Sequence, residues 1–413
     1  MLSTARRSPS IPKLKAENTA TLRRKRWKNI SQYCTADLKK ERKTMNNTEI
    51  NANETEIENE TLDTVKTETE EITEAESGKT SASEELPESL RVKLFSGMVA
   101  DVKEQLSRDV VGQKDIIENV IIAIIAGGNV LLEGVPGVGK TRLVRSLGRV
   151  LSLPFSRIQF TPDLMPSDVT GANVIEKNEN GTLATKFRPG PIFANLVLAD
   201  EINRATPKTQ SAMLEVMQEH KVTVDNATYA IDEPFFVLAT ENPIEQDGTY
   251  PLPEAQMDRF MFKLIVGFPS ADELCGIVKM TQRTMRETAE AAINGEEILE
   301  MRKLASTVPL ADEVLRYAVN IVTGTHPELE DGAPAAKKYV KYGASPRAAQ
   351  GIITAARVRA LMYGRYNVSY EDIDALAPHV LRHRIKINFT AVNEKLSVDD
   401  VIGMIIKETK KVR

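Results

Sequence analysis

The stretch Asn129-Val130-Leu131-Leu132-Glu133-Gly134-Val135-Pro136-Gly137-Val138-Gly139-Lys140-Thr141 decides the fold of this chain. Its first five residues read as a buried strand, and the eight from Gly134 to Thr141 make a complete phosphate-binding loop. Arg142 to Leu151 reads as an amphipathic helix. The glycines let the backbone curl so that successive N–H groups point at one phosphate. Lys140 adds a point charge, and the Thr141 hydroxyl can hold Mg²⁺. Gly134, Val135, Pro136, Gly137, Val138, Gly139, Lys140 and Thr141 are therefore the expected cradle for a nucleoside triphosphate. The strand before and the helix after separate this reading from an ordinary glycine-rich turn.

Around that loop, strand-like runs recur at Val130–Glu133, Arg157–Phe160, Leu196–Asp200 and Phe235–Thr240, separated by helical segments such as Thr209 to Glu219. Such alternation predicts an α/β fold, a parallel sheet covered by helices. Two hairpins interrupt it. Val174 to Phe187 carries Glu179-Asn180-Gly181, and Lys221 to Ile231 carries Asp225-Asn226 between alternating residues; neither reads as core. Helical periodicity begins at Leu90 and continues in the apolar Ile116–Ile125. Beyond Pro269 the chain reads as helices only, with starts at Ser345-Pro346, Ser369 with Asp372, and Ser397 with Asp400. The predicted organisation is a disordered tail at 1–88, an α/β nucleotide-binding domain at 89–268 and a small all-helical domain at 269–413.

Charge is distributed unevenly. Met1 to Thr44 carries 13 Lys+Arg against 3 Asp+Glu and Met45 to Glu88 carries 2 against 14, which leaves the remainder at −2 within a whole-chain −4. The acidic segment is Glu, Thr, Asn and Ser with almost no aromatic residue, so it cannot bury enough surface to offset chain entropy. The basic segment, with Arg23-Arg24-Lys25-Arg26-Trp27, reads first as solvated tail, with a nucleic-acid arm or a targeting peptide as alternatives. Met45 is a candidate translation start. A near-neutral body argues against a large nucleic-acid face. The most apolar run, Val120 to Ala126, is far short of the roughly 20 residues that span a bilayer, so no membrane insertion is expected. Cys34 and Cys275 suggest neither disulfide frame nor metal knuckle, which fits a cytoplasmic protein. His220, His326, His379 and His383 are expected in solvated or capping roles, with no metal beyond nucleotide-bound Mg²⁺.

A hydrolase needs more than a cradle. Leu196-Val197-Leu198-Ala199-Asp200-Glu201 delivers two adjacent carboxylates to the sheet's C-terminal edge, Asp200 to hold Mg²⁺ and Glu201 to orient and deprotonate water. The run Phe235 to Thr240 leads into Glu241-Asn242-Pro243, placing the Asn242 amide where it can bond the γ-phosphate or that water. Arg259 follows the last core segment, and Arg347 opens a helix of the second domain. Either could neutralise charge on the γ-phosphate.

With these parts in order, the chain from Leu90 onward resembles the AAA+ ATPases and, within them, the MoxR-type proteins. The resemblance is carried by Phe187-Arg188-Pro189-Gly190-Pro191-Ile192-Phe193, Ala199-Asp200-Glu201-Ile202-Asn203-Arg204-Ala205, Ala239-Thr240-Glu241-Asn242-Pro243-Ile244-Glu245 and Tyr342-Gly343-Ala344-Ser345-Pro346-Arg347. It implies that Gly134–Thr141 is Walker A, Asp200-Glu201 Walker B, Asn242 sensor 1, Arg259 a finger acting on a neighbouring subunit and Arg347 sensor 2 from a helical lid. Gly112 and Gln113 would lie near the adenine, and the hairpins would be the helix-2 and pre-sensor-1 inserts. Arg188 and Arg204 are further candidates for trans-acting or structural arginines. Glu241 stands where the family usually has glutamine. The implied function is Mg²⁺-dependent ATP hydrolysis by a homo-oligomeric, hexameric ring. The implied work is chaperone-like remodelling or activation of protein clients, including ones with a von Willebrand factor A domain or metal- or cofactor-dependent enzymes. A nucleic-acid motor, a nucleotide-gated scaffold without turnover and the ATPase subunit of a metal chelatase are the competing readings.

Overall fold

The computed structural model describes residues 87–135, 137–177, 183–242, 249–282 and 288–409. The expected tail disorder before residue 87, a start at Met45, Pro136, the turn Glu179-Asn180-Gly181 and Pro243-Ile244-Glu245 lie outside the described residues. The chain enters with α1 (Glu88–Asp109), beginning within the segment read as tail. Its Val92, Phe95, Val99, Val102 and Leu106 are buried at three- and four-residue spacing. Helix α2 (Lys114–Ala126) is apolar almost all round and closes on Gly127 in the left-handed region. Then come β1 (Val130–Gly134), α3 (Lys140–Val150), β2 (Phe155–Gln159), α4 (Pro166–Thr170), the hairpin of β3 (Gly171–Lys177) and β4 (Leu183–Pro189), and β5 (Leu196–Asp200). These are followed by α5 (Pro207–Glu219), the hairpin of β6 (Lys221–Val224) and β7 (Ala227–Ala230), β8 (Phe236–Glu241), α6 (Glu254–Met257) and β9 (Phe262–Val266).

Five of these strands form one parallel sheet in the order β2-β5-β8-β1-β9. Side chains alternate between its faces, as the pleat requires. Val130, Leu132, Leu196, Leu198, Phe236, Leu238, Phe262 and Leu264 point to one apolar layer, while Leu131, Val197, Ala199, Val237 and Ala239 point to the other. Because β8 lies between β1 and β5, its C-terminal end sits between the phosphate loop and the two carboxylates. That is the crevice where open α/β sheets bind ligands.

The remaining elements are α7 (Ala271–Gln282), α8 (Gly295–Ser306), α9 (Asp312–Gly324), α10 (Pro334–Tyr339), β10 (Val340–Tyr342), α11 (Pro346–Met362), α12 (Tyr370–Leu381), β11 (Lys386–Ile387), α13 (Phe389–Asn393) and α14 (Val398–Glu408). They do not build a separate core. Ile352, Leu361, Val380 and Ile402 belong to the same buried cluster as Val120 and Leu132, with α11 packed on α1 and α2 and α12 on β9. The starts at Ser369 and Ser397 are capping boxes, closed by Asp372 and Asp400.

Four expectations need correction. Strand β9 follows Arg259, so that arginine precedes the last core strand instead of trailing it; a five-residue apolar run containing Lys263 has no periodicity of its own, and pairing with β1 makes it a strand. Strands do not end at Pro269, since β10 and β11 pair antiparallel. The second hairpin contributes to the core through Val222 and, at its end, Ile231. His383 is buried and bonds the Phe260 carbonyl at 2.9 Å, so it is not solvated, while His379, in the last turn of α12, is partly buried and burial holds it down at about 4.

The two hairpins are joined. Phe187 of β4 stacks on Tyr229 of β7 with ring centroids 3.9 Å apart, worth about 0.5–1.5 kcal/mol beyond area burial. Asn173 donates to Asp225 at 2.6 Å. Toward the tip of the first hairpin, Ile175 and Leu183 are 72% and 69% exposed.

Candidate nucleotide site

Between β1 and α3, Gly137 and Gly139 adopt φ of 84° and 87°, values that L side chains rarely take. A Cβ built on either would meet nothing within 4 Å, so open space lies beside the loop at both glycines. The first turn of α3 holds no acidic residue, which leaves its N–H groups and positive dipole end available to an anion. Lys140 Nζ donates to the Gly134 carbonyl at 2.6 Å. Burial pulls the Lys140 ammonium below its ordinary value, against Asp200, Glu201 and Glu133, which favour its charge. Thr141 follows in the same first turn. Gln113, left-handed at φ 55°, donates from its side chain to the Val138 carbonyl at 2.8 Å, so the expected adenine-side loop is tied to the phosphate loop. A Cβ at Gly112 would overlap the Glu273 carboxylate of α7.

At the end of β5 the two carboxylates are held differently. Asp200 is 8% exposed; Thr240 Oγ1 of β8 donates to its Oδ1 at 2.6 Å, and Arg157 of β2 donates to Oδ2 from Nε at 3.1 Å and Nη2 at 2.7 Å. Glu201 sits in the left-handed region at φ 57°, and its N–H donates to Thr240 Oγ1 at 2.8 Å. One hydroxyl thus fixes both residues. Glu201 Oε2 accepts from Gln159 Nε2 at 3.0 Å and Arg204 Nη1 at 3.1 Å. Asn242, 4% exposed, follows β8 directly. Glu241, the departure from the family pattern, lies near Lys263, itself 2.5 Å from Glu133. Burial pushes the Glu241 carboxyl up, with Lys263 opposing and Glu133 reinforcing the shift.

The phosphate loop, Asp200, Glu201 and Asn242 therefore share one edge of the sheet. Arg259 and Arg347 do not join them. Both line a crevice with Gly128, Asn129 and Met261, at the opposite edge where β1 and β9 begin. Five-residue β1 separates the two edges by about 15 Å. There Arg259 Nη1 donates to the Leu214 carbonyl at 3.0 Å, and Arg347 lies 3.5 Å from Asp258, which Arg384 also holds at 2.8 Å. Ser345 opens α11, yet its hydroxyl donates to Asp258 at 2.8 Å and makes no cap bond. Arg188 lies on β4 opposite Ala172. Arg157, Gln159 and Thr240 were not singled out from sequence. Periodicity placed a strand at 157–160 where β2 runs Phe155–Gln159, but contact with the carboxylates depends on β2 pairing with β5.

Comparison with known proteins gives the family. A family model for the ATPase family associated with various cellular activities matches residues 129–262, and an AAA lid domain model matches 332–403. The Mycobacterium tuberculosis protein named Chaperone MoxR1 is 41% identical over 303 residues, 73% of this chain and 79% of that one. The chain belongs to the MoxR-type AAA+ ATPases. Protein MoxR of Paracoccus denitrificans is 31% identical over 302 residues, covering 69% of this chain and 87% of its own. YeaC of Bacillus subtilis is 43% identical over 310 residues, 74% and 92% of the two chains. A solved crystal structure from Cytophaga hutchinsonii superimposes with a TM-score of 0.72 at 38% identity, covering 78% of this MoxR-type chain and 97% of that chain. Among the described residues, no helix is long and apolar enough to cross a membrane, and no group of three His, Cys, Asp or Glu is placed to hold a metal ion.

Proposed function

We propose that this MoxR-type protein binds Mg²⁺ and ATP at its phosphate loop and hydrolyses the nucleotide at the boundary between subunits of a cytoplasmic hexameric ring. The observation that carries this is the division of the machinery between the two edges of one sheet. Gly134–Thr141, with Gly112 and Gln113 beside the adenine, would bind the nucleotide, and Thr141 and Asp200 would hold the ion. Bound Mg²⁺ would supply charge neutralisation at the phosphate oxygens. Glu201 would take a proton from the attacking water, and Asn242 would orient that water or the γ-phosphate. Arg259 and Arg347 face away from their own loop, which supports their acting on a neighbour's nucleotide in a closed heterologous ring. In this reading the α/β domain at 89–268 carries the loop, the carboxylates and Arg259, and the helical part at 269–413, which shares its core, carries Arg347.

The exposed apolar end of the first hairpin supports protein clients as the object of the cycle, with von Willebrand factor A domain proteins and metal- or cofactor-dependent enzymes as the classes to try first. Steady-state ATP hydrolysis by wild type and Glu201→Gln, with oligomeric mass recorded with and without ATP, tests the reading. Turnover lost about 10²–10⁴-fold in the variant with binding retained, and an ATP-dependent rise to ring mass, are expected. Undiminished turnover in Glu201→Gln would move the base elsewhere.

A further inference from the structure

The partner of the Asp200 carboxylate is a cation already built into the sheet. Arg157 and Gln159 stand two residues apart on one face of β2, where Gln159 pairs with Asp200 in the parallel register. Arg157 places two donors on Asp200 Oδ2, and Thr240 occupies Oδ1. A carboxylate serving a Mg²⁺ ion would gain a doubly charged neighbour while still bonded to a guanidinium, and two cations sharing one anion at this range repel. The Arg157 side chain is 45% exposed, so it can swing outward without opening the core.

Arg157 does a second thing. Its Nη2 also donates to Gln159 Oε1, which leaves only the amide nitrogen of Gln159 to face Glu201. The orientation of the amide that bonds Glu201 therefore depends on the arginine that bonds Asp200.

We propose that Arg157 is a positioning residue that competes with Mg²⁺ for Asp200, setting the ion concentration at which the nucleotide site loads, and that its departure frees Gln159. The inference rests on the nucleotide site described above. It is tested by binding of a fluorescent ATP analogue across a Mg²⁺ titration in wild type, Arg157→Met and Arg157→Lys, with folding checked by circular dichroism. Arg157→Met should reach half-saturation at Mg²⁺ concentrations lower by at least about tenfold, the factor carried by one hydrogen bond to a charged group. Arg157→Lys should shift less in the same direction, and it serves alone if the methionine variant does not fold. Binding in EDTA should change less than about twofold, since no phosphate contact is removed. A Mg²⁺ dependence that is unchanged, or moved to higher concentration, would overturn the competition while leaving the nucleotide site standing. No Mg²⁺-dependent binding by wild type would overturn both.

Discussion

The two edges of the central sheet are built from different materials. At the C-terminal edge, a phosphate loop, Asp200, Glu201 and Asn242 converge through β1, β5 and β8. At the N-terminal edge, Arg259, Arg347 and Arg384 gather around Asp258 and the start of β1. One edge gathers a glycine-rich loop with paired carboxylates; the other gathers three arginines around a single Asp258. Five-residue β1 keeps Arg259 and Arg347 about 15 Å from the phosphate loop of their own chain, and the proposed ring would make each protomer carry halves of two different sites.

The sharpest way to break this comparison is to disable each edge separately and recombine them. Arg259→Ala should lower ATP turnover by about 10³–10⁵-fold, and mixing it with Lys140→Ala should restore part of the activity at interfaces pairing an intact loop with an intact arginine. No recovery at any mixing ratio would count against two half-sites.

A smaller effect separates the two arginines. Arg347→Ala should cost roughly 10² in turnover, as removal of one charge-stabilising donor does elsewhere. It should barely move the melting temperature, because its 3.5 Å ion pair is half exposed. A variant that loses stability and keeps turnover would make Arg347 a lid strut.

The smallest effect is in pH response, where the edges carry opposite signs. Glu241 at the C-terminal edge has its carboxyl raised by burial, so its contribution is complete below the ordinary carboxylate range and is lost as pH rises through the raised value. His383 near the other edge is held well below its ordinary 6.5 by burial, so its contribution is complete above 6.5 and is lost as pH falls. Glu241→Gln should raise the melting temperature by about 2 °C at pH 8, the shift ~1 kcal/mol gives in a domain of this size, with the gain vanishing near pH 4. A gain that grows toward acid pH would contradict the sign of the Glu241 shift.

Amino-acid order alone determined the glycine-rich loop, the carboxylate pair at the end of β5, three of the four other sheet strands and the capped helix starts at Ser369 and Ser397. Each depends on short-range physics: glycines in backbone conformations closed to other residues, a side chain two or three positions away, or an apolar run long enough to show its period. Tertiary structure alone decided that FKLIV at 262–266 is a strand, that Val222 is core, that Arg157 sits on Asp200, and that Arg347 lies beside Arg259 instead of over its own phosphate loop. These contacts join residues tens to more than a hundred positions apart. They follow from the strand order β2-β5-β8-β1-β9 and from the packing of α11 on α1 and α2, which only the shared core can select.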